Sequence, residues 1–256
     1  MKKVLFLGSK PIGYKTLEHL IKSPKVYDIE IEGVLSNDNT RFGAEYSVRQ
    51  LAQESGIPFI EDLDSILEFE DIDFIISVQY HLILKQKHID VAKSLAVNLH
   101  MAPLPEYRGC NQFSFAIYNQ AKVFGTTLHR LEDGIDNGDI IAEKRFEIPE
   151  GCLVNRLYEM TFEESINLFQ EEIGSIFSGK YQLIPQKELV DDRGTNLYFR
   201  KDIGELKSID LNSGEDEILR RVRATAMPGF EPPFVLYKDK KYYIIPEEIH
   251  NKVNVK

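Results

Sequence analysis

Short apolar runs alternate with amphipathic segments along the first 150 residues of the chain. The apolar run 4–7 ends in a glycine-containing turn, after which Leu17, Leu20 and Ile21 recur at helical spacing, so a strand is followed by a helix. Further strands are predicted at residues 29–35, 57–60, 74–78 and 95–99, with helices at 46–55 and 63–69. This alternation is typical of a mostly parallel, Rossmann-like α/β sheet with helices on both faces, whose ligands gather at the carboxyl ends of the strands.

The second half of the chain predicts an extension of this sheet and a small appendage. A helix at 111–120, strands at 125–130 and 140–147, and a helix at 154–177 are expected. The apolar stripe of the last helix indicates core packing; its members are Phe162, Ile166, Phe169, Ile173 and Phe177. The pattern weakens after Pro185, which divides the chain into a domain of residues 1–185 and a C-terminal α+β subdomain of residues 186–256.

The C-terminal subdomain is expected to contain one helix and a β-hairpin. The helix would open at Ser213, and the hairpin arms would be residues 234–237 and 242–245, joined through residues 238–241. Such a hairpin would be an unstable edge on its own. We therefore expect it to be buried against a second copy in a homodimer.

Composition narrows the class of protein. With 256 residues and 43% apolar composition, the chain can bury one large core and a small appendage. No run approaches the ~18 apolar residues of a membrane span, and the start of the chain is too short in apolar residues for a secretory core, so a soluble cytoplasmic protein is expected. Cys110 and Cys152 form no CxxC motif, which predicts neither a disulfide framework nor a metal site. The net charge of −10 argues against nucleic acid as a partner but allows a local basic pocket for a small anion.

The segment 98–109 carries the first candidate chemistry. Asn98 and His100 leave the predicted strand 95–99, and alternation along a strand places both side chains on one side. The prolines that follow stiffen the loop. On its own, His100 is better interpreted as a satisfied structural histidine.

A second candidate segment lies at residues 134–141. It places Asp136 and Asp139 in a glycine-flanked turn before an apolar strand. The alternative interpretation is an ordinary Asp/Gly turn.

Together these segments resemble the formyltransferase family that uses 10-formyltetrahydrofolate. The resemblance rests on the Asn98-x-His100 strand end, the loop at residues 104–109 and the turn at residues 134–139. It implies that Asn98, His100 and Asp136 are catalytic. Asn98 would donate to the oxyanion, and either His100 or Asp136 would first take the proton of the attacking amine, an order that sequence leaves open.

The resemblance also implies where the formyl donor binds. The segment 77–84 is similar to the family loop that holds the pterin ring through backbone groups. The implied contacts with 10-formyltetrahydrofolate are Gln79, Tyr80, Leu82 and Ile83.

Three acceptor classes compete within this family: nucleotide-linked amino sugars, initiator tRNA and glycinamide ribonucleotide. The run 98–114 is most similar to sugar N-formyltransferases acting on amino-dideoxyhexoses, and about seventy acidic-leaning residues after Pro185 replace the basic domain of the tRNA enzyme. A dTDP-linked amino sugar is therefore expected, with a non-catalytic folate- or nucleotide-sugar-binding module as the alternative. The implied substrate contacts are Ser9 and Lys10 for pyrophosphate, Met101, Tyr107, Arg108, Asn111 and Gln112 near the hexose, and Tyr198 or Phe199 against the nucleobase.

Overall fold

A mixed six-stranded sheet organises the part of the chain that this computed structural model describes, residues 1–37 and 44–252. Its strands are β1 (Lys2–Gly8), β2 (Ile29–Leu35), β3 (Phe74–Val78), β4 (Leu95–His100), β6 (Val123–Arg130) and β7 (Ile140–Glu147). They are ordered β2-β1-β3-β4-β6-β7. Strands β1, β2, β3 and β4 are parallel to one another, β6 is antiparallel to β4, and β7 is antiparallel to β6. The predicted Rossmann-like fold is confirmed, with two antiparallel strands at one edge.

Helices cover both faces of the sheet. One face packs against helices α1 (Lys10–Lys22), α3 (Val48–Glu54) and α6 (Val154–Phe177), and the short helix α2 (Pro24–Tyr27) follows α1. The opposite face packs against a 3₁₀ helix, Leu63–Glu68, and helix α4 (Gln86–Ile89). Since β3 is buried along its whole length, its continuous apolar run agrees with a central parallel strand.

Two predicted elements differ in detail. Residues 57–60 form a single bridge between Phe59 and Val34 instead of a strand, because Pro58 has no N–H for a ladder. The helix predicted at 46–55 begins at Val48, since the Ser47 hydroxyl accepts the Gln50 N–H and caps it there.

The C-terminal segment packs onto the first part of the chain. The short strand β5 (Arg108–Gly109) pairs in parallel with β8 (Leu197–Tyr198), and helix α5 (Gln112–Tyr118) lies between the sheet and the tail. Three tail helices are α7 (Val190–Arg193), α8 (Ile203–Lys207) and α9 (Glu215–Thr225). Ala224 of α9 is fully buried in a cluster with residues of α5 and β6. Helix α9 begins two residues after the predicted Ser213, with Gly214 as its N-cap.

The predicted hairpin is present with a shorter turn. Strands β9 (Phe234–Tyr237) and β10 (Lys240–Tyr243) are joined by Lys238 and Asp239, whose φ angles are 47° and 60°. Both angles match the two-residue turns that favour hairpin twist. Among the described residues, no helix combines the length and the apolarity needed to cross a bilayer.

Candidate active site

The carboxyl end of β4 places Asn98 and His100 on one face of the sheet. Both alternate with Val97 and Leu99, which belong to the core on the opposite face. Asn98 is half-buried and His100 is only 4% exposed. The predicted convergence of an amide and an imidazole at this strand end is therefore present in the structure.

Buried hydroxyls fix the backbone at the end of β4. The Thr126 hydroxyl donates to the His100 carbonyl at 3.0 Å, and the Thr127 hydroxyl donates to the Ala102 carbonyl at 2.8 Å. Both threonines are fully buried, and Ser165 of α6 contacts the Thr126 hydroxyl at 2.7 Å. The strand end is thus a rigid platform for His100.

The turn before β7 brings Asp136 to this strand end. Asp136 Oδ2 lies 3.6 Å from His100 Nδ1 and accepts the Gly109 N–H at 2.9 Å. Its φ angle of 46° lies in the left-handed region, which is uncommon for residues other than glycine. Asn98, His100 and Asp136 thus come together from three separate segments.

His129 is a further member of this cluster, and no motif in the sequence singles it out. It pairs with Asn98 across β4 and β6, and its Nε2 lies 3.0 Å from Asn98 Nδ2 and 3.6 Å from Asp136 Oδ1. Its Nδ1 lies 2.9 Å from the Arg130 carbonyl. Because that carbonyl can only accept, Nδ1 carries the hydrogen and Nε2 accepts from the Asn98 amide. The antiparallel pairing of β4 with β6, which the sequence pattern does not reveal, creates this contact.

The same reasoning identifies the nitrogen of His100 that can accept a proton. Its Nε2 lies 2.7 Å from the Tyr107 carbonyl, so Nε2 carries a hydrogen that it donates there. Nδ1 is then the nitrogen that can take up a proton, and it is the one that faces Asp136. A proton taken up at Nδ1 would lie beside a carboxylate.

Asp136 is held in its ionised form. Burial alone would raise the pKa of this carboxyl, but attraction to the protonated form of His100 and the hydrogen bond from the Gly109 N–H hold that pKa well below its usual range. An ionised Asp136 can stabilise positive charge on an adjacent imidazole.

A cavity of about 480 Å³ opens on the same face of the sheet as Asn98. It is lined by Gln86, Ile89, Arg130, Leu131, Glu132 and Asp133. Leu131 is tied to β4 by its N–H, which donates to the Ala96 carbonyl at 2.8 Å. Two of the six lining residues, Ile89 and Leu131, are apolar, and the other four are polar or charged.

The loop after β3 contains the residues predicted to contact the formyl donor. Leu82 and Ile83 are 46% and 62% exposed, so both offer apolar surface to a ligand. Tyr80 is half-buried against the core below this face. Gln79 accepts a hydrogen bond from Lys10 Nζ at 2.8 Å, which ties the turn after β3 to the turn after β1.

The predicted pyrophosphate residues lie in different environments. Ser9 is buried: its N–H donates to the Val78 carbonyl, and its hydroxyl accepts the Asn37 N–H. The pKa of Lys10 is lowered by burial and by the positive charge of Arg200, against an opposing effect of Cys110. Lys10 thus lies within electrostatic reach of a second cation, Arg200.

The aromatic residues predicted to contact a nucleobase also differ. The Tyr198 ring stacks on Phe115 at 4.1 Å and lies nearly parallel to Tyr107 at 6.0 Å. Burial and neighbouring Tyr198 raise the pKa of Tyr107 to about 12. Phe199 is 47% exposed, so it, unlike Tyr198, presents a free ring to the surface.

The remaining predicted substrate contacts have roles inside the protein. Arg108 Nε donates to the Ile135 carbonyl at 2.9 Å, and the Asn111 amide donates to the Phe199 and Arg200 carbonyls. Met101 and Gln112 are 2% and 7% exposed. The Arg108 and Asn111 contacts tie the turn at 134–139 and the tail to the loop after β4.

The chain is similar to known proteins over most of its length. A family model described as "Formyl transferase" matches residues 3–173. The methionyl-tRNA formyltransferase of Clostridium beijerinckii is 26% identical over 93% of this chain and 76% of its own length. The GDP-perosamine N-formyltransferase of Brucella melitensis is 29% identical over 69% of this chain and 65% of its own length.

A solved structure shares the whole fold. The N-formyltransferase from Helicobacter canadensis, in complex with folinic acid and dTDP-3-aminofucose, has a TM-score of 0.77 and 24% sequence identity. The alignment covers 94% of this chain and 86% of that one.

Proposed function

Because the chain belongs to the formyl transferase family and is thus an enzyme that transfers formyl groups, we propose that it formylates the amine of a nucleotide-linked amino-dideoxyhexose. The proposed donor is 10-formyltetrahydrofolate, and the best candidate for the acceptor is dTDP-4-amino-4,6-dideoxyglucose. The product would enter O-antigen or another surface polysaccharide. The observation that carries the proposal is the meeting of Asn98, His100 and Asp136 at the end of β4.

The proposed place for the donor's pterin ring is the cavity beside Leu131; the exposed apolar side chains of Leu82 and Ile83 support it. When bound, 10-formyltetrahydrofolate supplies the carbonyl carbon that the amine attacks. Asn98 has two amide hydrogens, of which one is donated to His129. The other is available to the carbonyl oxygen as it gains negative charge.

His100 and Asp136 provide the path for the proton. Only a neutral amine is nucleophilic, so the attacking amine must lose a proton to a nearby base. Nδ1 of His100 is the free acceptor, and the ionised Asp136 at 3.6 Å stabilises the imidazolium that results. The buried setting strengthens both effects, since few waters screen the charges.

The proposed class of acceptor is supported by Lys10, Arg200 and Phe199. Lys10, close to Arg200, offers positive charge to a diphosphate, and the exposed Phe199 ring offers a stacking surface to a base. The Helicobacter canadensis enzyme, with the same fold, binds a dTDP-sugar, and the Brucella relative acts on a GDP-linked amino sugar. We also propose a homodimer that acts in the cytoplasm.

A second candidate acceptor is methionyl-tRNA, because the Clostridium beijerinckii relative matches 93% of the chain. The acidic net charge of −10 disfavours it, since tRNA binding requires a positive surface.

A substrate panel tests the proposal. Purified protein is incubated with 10-formyltetrahydrofolate and, in separate reactions, with 3-amino and 4-amino dTDP-sugars, amino GDP-sugars and methionyl-tRNA. Release of tetrahydrofolate and a product heavier by one formyl group are expected with an amino dTDP-sugar. Turnover with methionyl-tRNA alone would refute the sugar acceptor, and binding without any turnover would support the non-catalytic alternative.

A further inference from the structure

The buried side chain of Gln186 holds the turn that carries Asp136. It is 7% exposed, and its Nε2 lies 2.9 Å from the Asp136 carbonyl and 2.7 Å from the Gly138 carbonyl. A carboxamide nitrogen has two hydrogens, so both are donated to this turn. The nitrogen therefore has no hydrogen left to donate to a ligand.

The turn needs such support. Asp136 adopts a left-handed backbone, with a φ angle of 46°, that a residue with a side chain resists. Gly138 lies so close to β6 that a Cβ atom would sit 1.9 Å from the Arg130 carbonyl. Donors on the Asp136 and Gly138 carbonyls therefore stabilise the one conformation in which the Asp136 carboxylate faces His100.

The sheet places Gln186 at this position. Ile140 and Ile184 exchange two backbone hydrogen bonds, at 2.9 and 2.8 Å, at the start of β7. This bridge aligns the chain before Gln186 with the end of the turn, and a 3₁₀ helix, Gln186–Glu188, follows. Gln186 lies beyond residues 3–173, the part matched by the family model.

We propose that Gln186 is a positioning residue for formyl transfer, which sets the Asp136 carboxylate at its distance from His100 and His129 through the backbone of the turn. The inference rests on the proposed catalytic role of Asp136. If Gln186 positions Asp136, the segment after Pro185 contributes to the rate of formyl transfer.

Two substitutions test this role, with a matched control. Gln186→Met keeps the approximate shape of the side chain and removes both N–H donors. Gln186→Glu also removes them, but its carboxyl has one O–H donor when it is protonated. Gln182→Glu makes the same chemical change at an exposed position four residues earlier. Thermal unfolding of each variant establishes that it is folded before kinetics are measured.

We expect Gln186→Met to lower kcat by about 10- to 100-fold, with the KM of both substrates within about twofold of the parent. For Gln186→Glu, the ratio of its kcat to that of the parent should rise as the pH falls, because the protonated carboxyl donates again. Gln182→Glu should match the parent throughout.

Three results would overturn the inference: an unchanged kcat in folded Gln186→Met, a loss confined to KM, or a Gln186→Glu ratio that is constant with pH. If Gln186→Met does not fold, the Gln186→Glu ratio alone decides. A parent protein that turns over no acceptor contradicts the proposed function, a result that is visible before any variant is made. An Asp136→Asn variant as active as the parent refutes the catalytic role on which the inference depends.

Discussion

A single carboxylate, Asp136, lies between two imidazoles that come from neighbouring strands. His100 presents Nδ1 to it because its Nε2 is committed to the Tyr107 carbonyl, and His129 presents Nε2 because its Nδ1 is committed to the Arg130 carbonyl. Backbone carbonyls thus decide which nitrogen of each ring faces the reaction. In the proposed mechanism the two histidines have separate tasks: His129 orients the Asn98 amide, and His100 exchanges a proton.

Replacing Asp136 by Asn tests the charge at this position. The shape is retained, but the imidazolium of His100 loses its counter-charge, so we expect kcat to fall by about 10²- to 10⁴-fold. Steady-state assays with the acceptor identified from the panel measure this. Asp139→Asn, in the same turn, is the control; an equal loss there would contradict a specific role for Asp136.

The effect of Asp136→Asn on the unfolding free energy should depend on pH. The pKa of Asp136 in the folded protein is below its unfolded value of about 3.9, so ionisation stabilises the fold above about pH 4 and this stabilisation is lost as the pH falls further. The gap in unfolding free energy between parent and Asp136→Asn should therefore shrink from pH 7 towards pH 3 in urea titrations. A gap that widened on acidification would show that the carboxyl is not held in its ionised form.

The residues of the site were predictable to different degrees. Asn98, His100 and Asp136 stand in contiguous motifs, which is why the sequence indicates both the family and these three positions. His129 and Gln186 enter through strand pairing and through a bridge between Ile140 and Ile184, contacts between distant segments that no local pattern encodes. Tyr198 was expected as one of two residues that stack on a nucleobase. Its ring instead stacks on Phe115, because strand β8 pairs with β5.

At the scale of elements, the C-terminal hairpin exposes a band of large side chains. Leu236, Tyr237, Tyr242 and Tyr243 are 59%, 60%, 51% and 39% exposed, although apolar side chains of this size are usually buried. A two-stranded sheet gains little stability alone. This exposed band is the surface on which the proposed homodimer would form.

A charge on this band should separate the subunits. Leu236→Asp places a carboxylate where a partner would bury leucine, so we expect the dissociation constant of the dimer to rise by at least tenfold. Analytical ultracentrifugation over a dilution series measures it. Leu219→Asp, at an exposed leucine of α9, should leave the mass unchanged. A parent that is monomeric at all concentrations would refute the dimer.

The elements show what hydrophobic patterning can and cannot predict. The buried parallel strands and α6 were predicted closely, because a strand covered on both faces or a helix with one apolar stripe leaves a strong period in the sequence. The directions of β6 and β7 were not predicted, because an alternating pattern is the same for parallel and antiparallel strands. Strands β5 and β8 were not predicted either, because two residues are too few to show a period. The hairpin turn is two residues shorter than expected because Lys238 and Asp239 adopt positive φ angles without glycine.

At the scale of the whole molecule, charged side chains connect the sheet to the C-terminal segment. Arg193 of α7 makes two hydrogen bonds to Glu143 of β7, at 2.8 and 2.9 Å, and donates to the Leu104 carbonyl. Arg145 bridges Glu143 and Glu106. The residues after Pro185 are thus attached to both β7 and the loop that carries the catalytic motif.

Removing Arg193 should weaken this attachment. Arg193 and Glu143 are about a quarter exposed, so we expect Arg193→Met to lower the unfolding free energy by about 1–2 kcal/mol. Arg156→Met, which removes a looser and more exposed ion pair with Glu159, should change it by less than about 0.5 kcal/mol. Urea unfolding of both variants tests the difference, and equal effects would show that the tie contributes no more than a surface pair.

The two cysteines differ in a way that is useful in practice. Cys152 is buried, whereas Cys110 is exposed, directly follows Gly109 of the catalytic loop and lies close enough to Lys10 to affect its pKa. A maleimide dye would therefore attach at one place on the folded enzyme, beside the proposed acceptor site. A dye on Cys110 would allow the proposed nucleotide binding to be titrated by fluorescence, without turnover and without an engineered thiol.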